Sequence, residues 1–233
     1  MKTLPFLTAL LMPLVSRSAD LSSEKLEVIQ QREIRCDYLL SHPEGDVPEK
    51  GWPLVVFLHG AGERGTNLND VKRHGPPKLI ADGKNIPAIV VAPQCPPDET
   101  WDPHLVKALT DKIVQSQKVD ASRVYLTGLS MGGFGTWATA VEYPETYAAI
   151  SPICGGVGIR ILSLGKLSKT PCWIFHGEDD SVVPADFGRQ AAAALEKAGA
   201  PVKLTLYPGV GHDSWTRTYD DPEFWKWLLA QKR

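Results

Sequence analysis

A serine lies between two glycines in the stretch Gly128-Leu129-Ser130-Met131-Gly132, which matches the pattern G-x-S-x-G. In this pattern a strand turns sharply into a helix, and small residues two positions either side of the serine let the chain pass close to its neighbours. The turn strains the serine and projects its hydroxyl above the sheet. The pattern also occurs in ordinary glycine-rich loops, but here a strand-like run precedes it and a helical pattern follows. We therefore predict that Ser130 is a nucleophile.

A serine hydroxyl needs a base that takes its proton and a carboxylate that orients the base. When the serine lies on such a turn, the acid and then the histidine follow it in the chain. Two histidines follow Ser130, and His176 comes before the acidic residues. His212 lies in the loop after the last predicted strand, so His212 is the predicted base, with an ordinary surface-loop histidine as the alternative.

Three acidic residues stand together in the stretch HGEDDSVVP: Glu178, Asp179 and Asp180. The spacing Asp-x-Val-Val-Pro favours Asp180 as the acid that orients the histidine. Asp179 is the competing candidate, and the residue that is not the acid would support the turn.

Acyl transfer also needs hydrogen-bond donors that point at the developing oxyanion. The backbone N–H of Met131 is one predicted donor, because it lies at the start of a helix, where the dipole favours negative charge. The second should come from the stretch HGAGERG, which follows the first buried strand. We predict the N–H of Ala61, with Gly62 as second choice; the alternative is that these glycines only form a turn.

The elements that must position these residues alternate between strands and helices. Apolar or β-branched runs predict strands at residues 33–41, 53–60, 86–94, 122–130, 147–156, 171–177 and 202–209. Helical patterns occupy residues 104–117, 131–142, 185–198 and 221–232. This alternation predicts an α/β fold with a mostly parallel central sheet and helices on both faces. Sites in such sheets lie at the carboxyl ends of the strands, where Ser130, Asp180 and His212 are found.

The N-terminus differs from the rest of the 233-residue chain. Lys2 precedes an apolar stretch from Leu4 to Val15, which is too short to span a bilayer and is typical of a signal peptide. We predict a signal peptide at residues 1–18, a single catalytic domain at residues 19–233, and a secreted or periplasmic location. The alternative is an apolar N-terminal helix packed on the domain.

Charge and cysteine spacing exclude several classes of partner. Loss of residues 1–18 removes two basic residues and no acidic one, which takes the formal net charge from −2 to −4. No basic block or basic-aromatic stripe is present, so we predict no nucleic-acid partner. The spacings of the four cysteines match no zinc motif, and we predict no metal site. The sequence does not indicate an oligomeric state.

Taken together, these motifs resemble those of the α/β-hydrolase superfamily. The resemblance is strongest to its small carboxylesterases, the phospholipase/carboxylesterase, dienelactone-hydrolase-like and polyhydroxybutyrate-depolymerase-like group. The stretches LHGAGERG, APQCP followed by Trp101, GLSMGGFGTW and GHDSWTRTY are similar to those of secreted bacterial "predicted peptidase" esterases. The resemblance covers about residues 35–230 and implies a Ser130–His212–Asp180 triad without metal or organic cofactor. Dienelactone hydrolases have cysteine at the position of Ser130, which argues against that activity.

The sheet order of this superfamily also bears on the cysteines. It implies that Cys154 and Cys172 lie too far apart to bridge, and that other strands separate Cys95 from Cys154. A disulfide between Cys36 and Cys95 is an alternative if the first strand is antiparallel. Four buried free thiols are the favoured interpretation.

The substrate is less determined than the triad. Many hydrolases of this superfamily insert a cap domain between two late strands, but here only residues 155–170 are available. We therefore predict an open site without a cap, with walls that include Trp101, Leu129 and Trp215. Exposed aromatic rings could stack on a sugar or a phenolic acyl group. An exported esterase with an open site suggests feruloyl or acetyl esters linked to polysaccharide.

Two other functions remain open at this point. A serine peptidase of the prolyl-oligopeptidase kind shares the triad and the fold, although no propeller domain is present. A non-catalytic carbohydrate-binding protein on the same fold would not need Ser130, Asp180 and His212 together. Turnover of esters against amides distinguishes the first two functions, and covalent labelling by a fluorophosphonate distinguishes both from the third.

Overall fold

The computed structural model describes residues 25–27 and 32–233, and its centre is a seven-stranded sheet. The strands are β1 (Tyr38–Ser41), β2 (Trp52–Leu58), β3 (Ile89–Pro93), β4 (Val119–Leu129), β5 (Ala149–Ile153), β6 (Cys172–Gly177) and β7 (Val202–Tyr207). Their order across the sheet is β1-β3-β2-β4-β5-β6-β7. Only the edge strand β1 is antiparallel to its neighbour, and the other pairs are parallel. The predicted mostly parallel sheet is confirmed.

In the part of the chain that the structure describes, six α-helices connect or follow the strands. They are α1 (Gly75–Ala81), α2 (Pro103–Ser116), α3 (Met131–Glu142), α4 (Asp186–Lys197), α5 (Trp215–Asp220) and α6 (Pro222–Ala230). Three 3₁₀ helices add to these at Ala61–Glu63, Leu68–Arg73 and Gly158–Leu167. Within the described ranges, no helix is long and apolar enough to cross a bilayer.

The two faces of the sheet each pack on a different set of helices. In β2, Leu54, Val56 and Leu58 belong to one buried cluster, which includes side chains of α2, α3 and α4. Val55 and Phe57 belong to the opposite cluster, with side chains of α1, α5 and α6. Since side chains alternate along a strand, a strand buried on both faces is apolar at every position. The continuous apolar run of β2 therefore follows from its central place in the sheet.

Several boundaries differ from the predictions. The first strand extends over Tyr38–Ser41 only, and its first residue pairs with Pro93, the last residue of β3. The short helices α1 and α5 were not predicted, since they are too short to show a clear periodicity. The fully described connection from β5 to β6 contains the 3₁₀ helix at Gly158–Leu167 and no inserted domain.

The predicted signal peptide at residues 1–18 and the domain boundary at residue 19 lie outside the described residues. Residues Ile34–Arg233 form one compact unit.

The four cysteines are free thiols in this structure. Cys95, Cys154 and Cys172 are buried, as expected, but Cys36 is only half-buried. The condition for the alternative disulfide is met, since β1 is antiparallel to β3, yet Cys36 and Cys95 are not bonded.

Candidate active site

Ser130 lies on a strained turn between β4 and α3. Its backbone φ of 53° and ψ of −118° place it in a region that residues with a side chain rarely adopt. The flanking glycines are required by close contacts. A Cβ on Gly132 would lie 1.9 Å from the carbonyl oxygen of Leu58, and one on Gly128 would lie 2.4 Å from the carbonyl oxygen of Gly132. The turn therefore has the geometry predicted from the G-x-S-x-G pattern.

The structure brings Ser130, His212 and Asp180 into one hydrogen-bonded row. His212 Nε2 lies 2.9 Å from Ser130 Oγ, and His212 Nδ1 lies 2.7 Å from Asp180 Oδ2. Asp180 is buried, whereas His212 and Ser130 are half-buried and can be reached from solvent. With Nδ1 donating to Asp180, Nε2 is free to accept the hydroxyl proton of Ser130.

The loops that carry the acid and the base pack directly on each other. A Cβ on Gly177, at the end of β6, would lie 2.0 Å from the carbonyl oxygen of Gly211. The N–H of Asp179 donates to the carbonyl oxygen of Val210 at 3.0 Å. The side chain of Asp179 is exposed, so it is Asp180 that reaches the histidine.

The second oxygen of Asp180 is also occupied. Asp180 Oδ1 accepts hydrogen bonds from the N–H groups of Val182 and Val183, each at 2.9 Å. Burial raises the pKa of this carboxyl, but the hydrogen bonds from His212 and from these two N–H groups outweigh it, so the pKa of Asp180 lies below its ordinary value. Asp180 therefore stays ionised and can stabilise a charged His212.

His176, the other histidine after Ser130, lies behind the acid. Its Nε2 donates to the carbonyl oxygen of Val183 at 2.8 Å and lies 3.4 Å from Asp180 Oδ2. The side chain is fully buried, and burial lowers the pKa of His176. His176 is therefore a neutral ring that holds the backbone of the loop after Asp180 through Val183. It does not contact Ser130.

The hydrogen-bond partners of His59, which follows β2, determine which of its ring nitrogens carries the proton. Its Nε2 accepts the N–H of Cys95 at 3.0 Å, so the proton is on Nδ1, which donates to the carbonyl oxygen of Gly60 at 2.6 Å. Burial lowers the pKa of His59 to about 4, because the buried ring loses the hydration of its charged form. His59 is therefore neutral at neutral pH.

This contact orients the first oxyanion donor. The carbonyl of Gly60 and the N–H of Ala61 belong to one planar trans peptide and point in opposite directions. Since His59 holds the carbonyl inward, the N–H of Ala61 points outward, on an exposed residue. The loop is next to the nucleophile, because a Cβ on Gly60 would lie 3.7 Å from Cβ of Ser130.

The second predicted donor, Met131, is the first residue of α3. Its N–H is one of the groups at a helix N-terminus that have no partner within the helix, and the helix dipole adds to its attraction for an anion. The N–H groups of Met131 and Ala61 thus flank Ser130 from the helix side and the loop side.

The three residues predicted as walls have different environments. Trp101 is 6% exposed, and its indole N–H donates to the carbonyl oxygen of His59 at 3.0 Å. Trp215 is half-buried, and its ring meets the ring of His212 edge to face, with centroids 5.3 Å apart. Leu129 is 2% exposed and packs in the core with β2 and β5, which corrects the expectation that it forms a wall.

An open groove of 450 Å³ adjoins the helix side of the site. Its walls include Trp101, Met131, Phe134, Val157 and Arg160. Phe134 was not predicted, although its position gave a signal: it lies four residues after Ser130 in a helical stretch, on the same face of the helix. It is 39% exposed, so its ring is available to a substrate.

Among the described residues, one group has the side chains to hold a metal ion: the potential ligand atoms of Cys154, Asp180 and His212 lie within 4.8 Å of one another. Both ring nitrogens of His212 are already hydrogen-bonded. Burial raises the pKa of the Cys154 thiol to about 12, which disfavours the thiolate that binds metals. These residues fit a hydrogen-bonded triad better than a metal site, and the absence of a metal or organic cofactor stays a prediction.

Comparison with known proteins places this site in a family. A family model described as phospholipase/carboxylesterase matches residues 103–222, about half of the chain, and this region includes Ser130, Asp180 and His212. Acyl-protein thioesterase 1 from Gibberella zeae is 38% identical over 211 residues, and the match covers 72% of this chain and 87% of that protein.

Two further proteins are similar over most of this chain but are longer. A thermostable esterase of known crystal structure is 36% identical with a TM-score of 0.73, and the match covers 84% of this chain and 59% of that chain. NocK from Nocardia uniformis subsp. tsuyamanensis is 24% identical over 201 residues, which covers 81% of this chain and 58% of NocK. The family match and the thioesterase similarity lead to one conclusion: the chain belongs to the phospholipase/carboxylesterase family of the α/β-hydrolase superfamily.

Proposed function

We propose that this chain is an exported serine carboxylesterase with Ser130 as nucleophile, His212 as base and Asp180 as the acid that orients the base. The observation that carries the proposal is the continuous hydrogen-bonded row from Ser130 to Asp180, on a turn whose strain exposes the serine. A binding protein has no use for a strained serine bonded to a histidine and a buried carboxylate.

The arrangement supports acyl transfer in two halves. His212 Nε2 takes the hydroxyl proton while Ser130 Oγ attacks the ester carbonyl, and the carbonyl oxygen becomes an anion stabilised by the N–H groups of Ala61 and Met131. His212 then gives its proton to the leaving alcohol, and an acyl-enzyme on Ser130 remains. A water molecule, deprotonated by His212, attacks this ester; His212 then returns the proton to Ser130 Oγ as the bond from Oγ to the acyl carbon breaks, and the carboxylic acid leaves.

The substrate class that we propose is a feruloyl or acetyl ester linked to a polysaccharide. The support is the open groove, which has no inserted domain above it and presents Phe134 to solvent. An exposed ring beside the nucleophile suits a planar phenolic acyl group, and an open groove leaves room for a polymer on the alcohol side. Export into the periplasm or the medium rests on the apolar N-terminal segment of the sequence.

The test compares the wild-type protein with Ser130→Ala on p-nitrophenyl acetate, p-nitrophenyl octanoate, methyl ferulate and a peptide anilide. We expect ester turnover that depends on Ser130 and no cleavage of the anilide, with the relative rates on the three esters identifying the acyl preference. Cleavage of the anilide would support a serine peptidase instead. No turnover by the wild type, with no labelling by a fluorophosphonate, would leave the non-catalytic binding protein as the explanation.

A further inference from the structure

Glu63 is a buried acidic residue near the nucleophile that has no place in the triad. It is 5% exposed and ends the 3₁₀ helix at Ala61–Glu63. A buried carboxylate close to a site where negative charge develops would oppose the reaction unless its oxygens were engaged elsewhere. The groups that its two oxygens contact therefore decide whether Glu63 opposes or assists the reaction.

The first contact is with the backbone of the oxyanion loop. The N–H of Gly60 donates to Glu63 Oε2 at 2.8 Å. This bond turns the N–H of Gly60 away from the nucleophile, while His59 holds the carbonyl of the same residue. Glu63 thus fixes the peptide between His59 and Gly60, and His59 fixes the peptide between Gly60 and Ala61. The second of these peptides carries the N–H of Ala61, so its direction is fixed as well.

The second oxygen of Glu63 faces the side of the site that carries the base. Glu63 Oε1 lies 3.8 Å from Nε2 of His74. The ring of His74 meets the ring of Trp215 edge to face, with centroids 5.4 Å apart, and Trp215 meets His212 in the same way at 5.3 Å. Glu63 is thus the first member of a packed row that ends at the ring of His212.

The backbone around Glu63 is held independently of its carboxylate. Gln94 Nε2 donates to the carbonyl oxygen of Glu63 at 2.9 Å, and Arg64 Nε donates to that of Ala61 at 3.0 Å. The loop therefore keeps its path when the carboxylate is removed, and what is lost is the fixed orientation of the His59–Gly60 peptide, whose N–H the carboxylate accepts.

We propose that Glu63 is a positioning residue of the oxyanion hole: its carboxylate holds the N–H of Gly60 and, together with the bond from His59 to the carbonyl of Gly60, keeps the N–H of Ala61 directed at the oxyanion. This inference rests on the proposed serine esterase function. It predicts that removal of the carboxylate weakens stabilisation of the tetrahedral intermediate and leaves binding of the ester itself almost unchanged.

The experiment compares Glu63→Ala and Glu63→Gln with the wild type on the best p-nitrophenyl ester. We expect Glu63→Ala to lower kcat by about thirtyfold with KM within about twofold, since loss of a whole oxyanion donor costs 10²–10³ in kcat and misorientation costs less. Glu63→Gln should stay within about threefold of the wild type, because its amide oxygen can still accept the N–H of Gly60.

A second readout separates positioning from a purely structural role. A trifluoromethyl ketone forms a tetrahedral oxyanion adduct with a serine nucleophile, so its inhibition constant for Glu63→Ala should rise by about the factor by which kcat/KM falls. Asp120→Ala is the matched control, because Asp120 also accepts a backbone N–H, that of Ser122 at 3.0 Å, but lies near the other end of β4. Asp120→Ala should leave kcat and the inhibition constant unchanged.

Three results would overturn the inference. They are an unchanged kcat in Glu63→Ala, an equal loss in Glu63→Gln and Glu63→Ala, and a loss of kcat without a matching rise in the inhibition constant. A wild type that shows no turnover dependent on Ser130 would overturn the proposed function and this inference with it. A wild type that is active together with an unaffected Glu63→Ala would overturn the inference alone.

Discussion

The two sides of Ser130 are built in different ways. On the side of the loops, buried polar side chains hold the site by directional hydrogen bonds: Asp180 accepts three of them, and His59 uses both ring nitrogens. On the side of the groove, apolar rings meet solvent: Phe134 and Phe187 are each 39% exposed, and a Cβ on Gly156 would lie within 3.3 Å of both.

The loop side therefore determines the geometry of the reaction, and the groove side determines which substrates are accepted. Directional hydrogen bonds in a buried environment admit one arrangement, so the loop side fixes the positions of the reacting atoms. Apolar contact is not directional, so the groove can accept acyl groups of different shape. Substitutions on the loop side should therefore affect all substrates alike, whereas those in the groove should change the order of substrates.

The largest effect on the loop side should come from Asp180→Asn. The amide would favour the wrong tautomer of His212 and would leave no charge to stabilise the protonated ring, so kcat should fall by about 10⁴-fold on every ester. Asp179→Asn is the matched control, since its side chain is exposed, and it should stay within about twofold. Initial rates on the ester panel test both, and a larger loss in Asp179→Asn would reassign the acid.

The next largest effect on the loop side is that the free energy of unfolding should depend on pH through His59. The folded pKa of His59 is about 4 and its ordinary value is 6.5, so between these values the unfolded chain binds a proton that the folded chain does not. The free energy of unfolding should therefore fall as the pH falls from 6.5 to 4, by about 3 kcal/mol from this residue, and level off below.

Equilibrium unfolding in guanidinium chloride at several pH values between 7 and 4 measures this dependence. His59→Gln removes the titrating group and should show a shallower dependence than the wild type over the same range. Parallel curves for the two proteins would mean that His59 is protonated in the folded state, contrary to its contacts with Gly60 and Cys95.

The smallest effect is expected in the groove. Phe134→Ala removes an exposed ring, so kcat/KM for methyl ferulate should fall by about tenfold, and that for p-nitrophenyl acetate should change by less than about twofold. Leu162→Ala is a suitable control, because Leu162 is 82% exposed and does not line the groove. An equal loss on both esters would mean that Phe134 supports the reaction geometry, and the distinction between the two sides would fail.

The sequence predicts the triad well because each of its members has a local signal. The glycines around Ser130 are required because an added Cβ would lie only 1.9 or 2.4 Å from a backbone oxygen, so the pattern itself records the turn. Asp180 and His212 follow parallel strands, and the carboxyl ends of these strands meet at one edge of the sheet. The continuous apolar run of β2 and the helix α3 that follows the serine also agree with their predicted ranges to within a few residues.

Side-chain direction and loop contacts carry no such signal. Leu129 stands next to the nucleophile in the sequence, but the alternation of the strand turns its side chain into the core. Glu63 and His74 are brought together by the fold of a long connection between β2 and β3, whose 3₁₀ helices and short α1 have no periodic pattern. Such contacts follow from tertiary structure and were found only there.

If Ser130 is the nucleophile, it carries the acyl group of the substrate during turnover, and the acylated residue can be identified directly. The wild type and Ser130→Ala are mixed with a slowly hydrolysed p-nitrophenyl ester, quenched with acid within milliseconds, and examined by intact-protein and peptide mass spectrometry. We predict one acyl group on the wild type, located on the peptide that contains Ser130, and none on the variant. An acyl group on another residue, or an equal adduct on Ser130→Ala, would show that Ser130 is not the nucleophile.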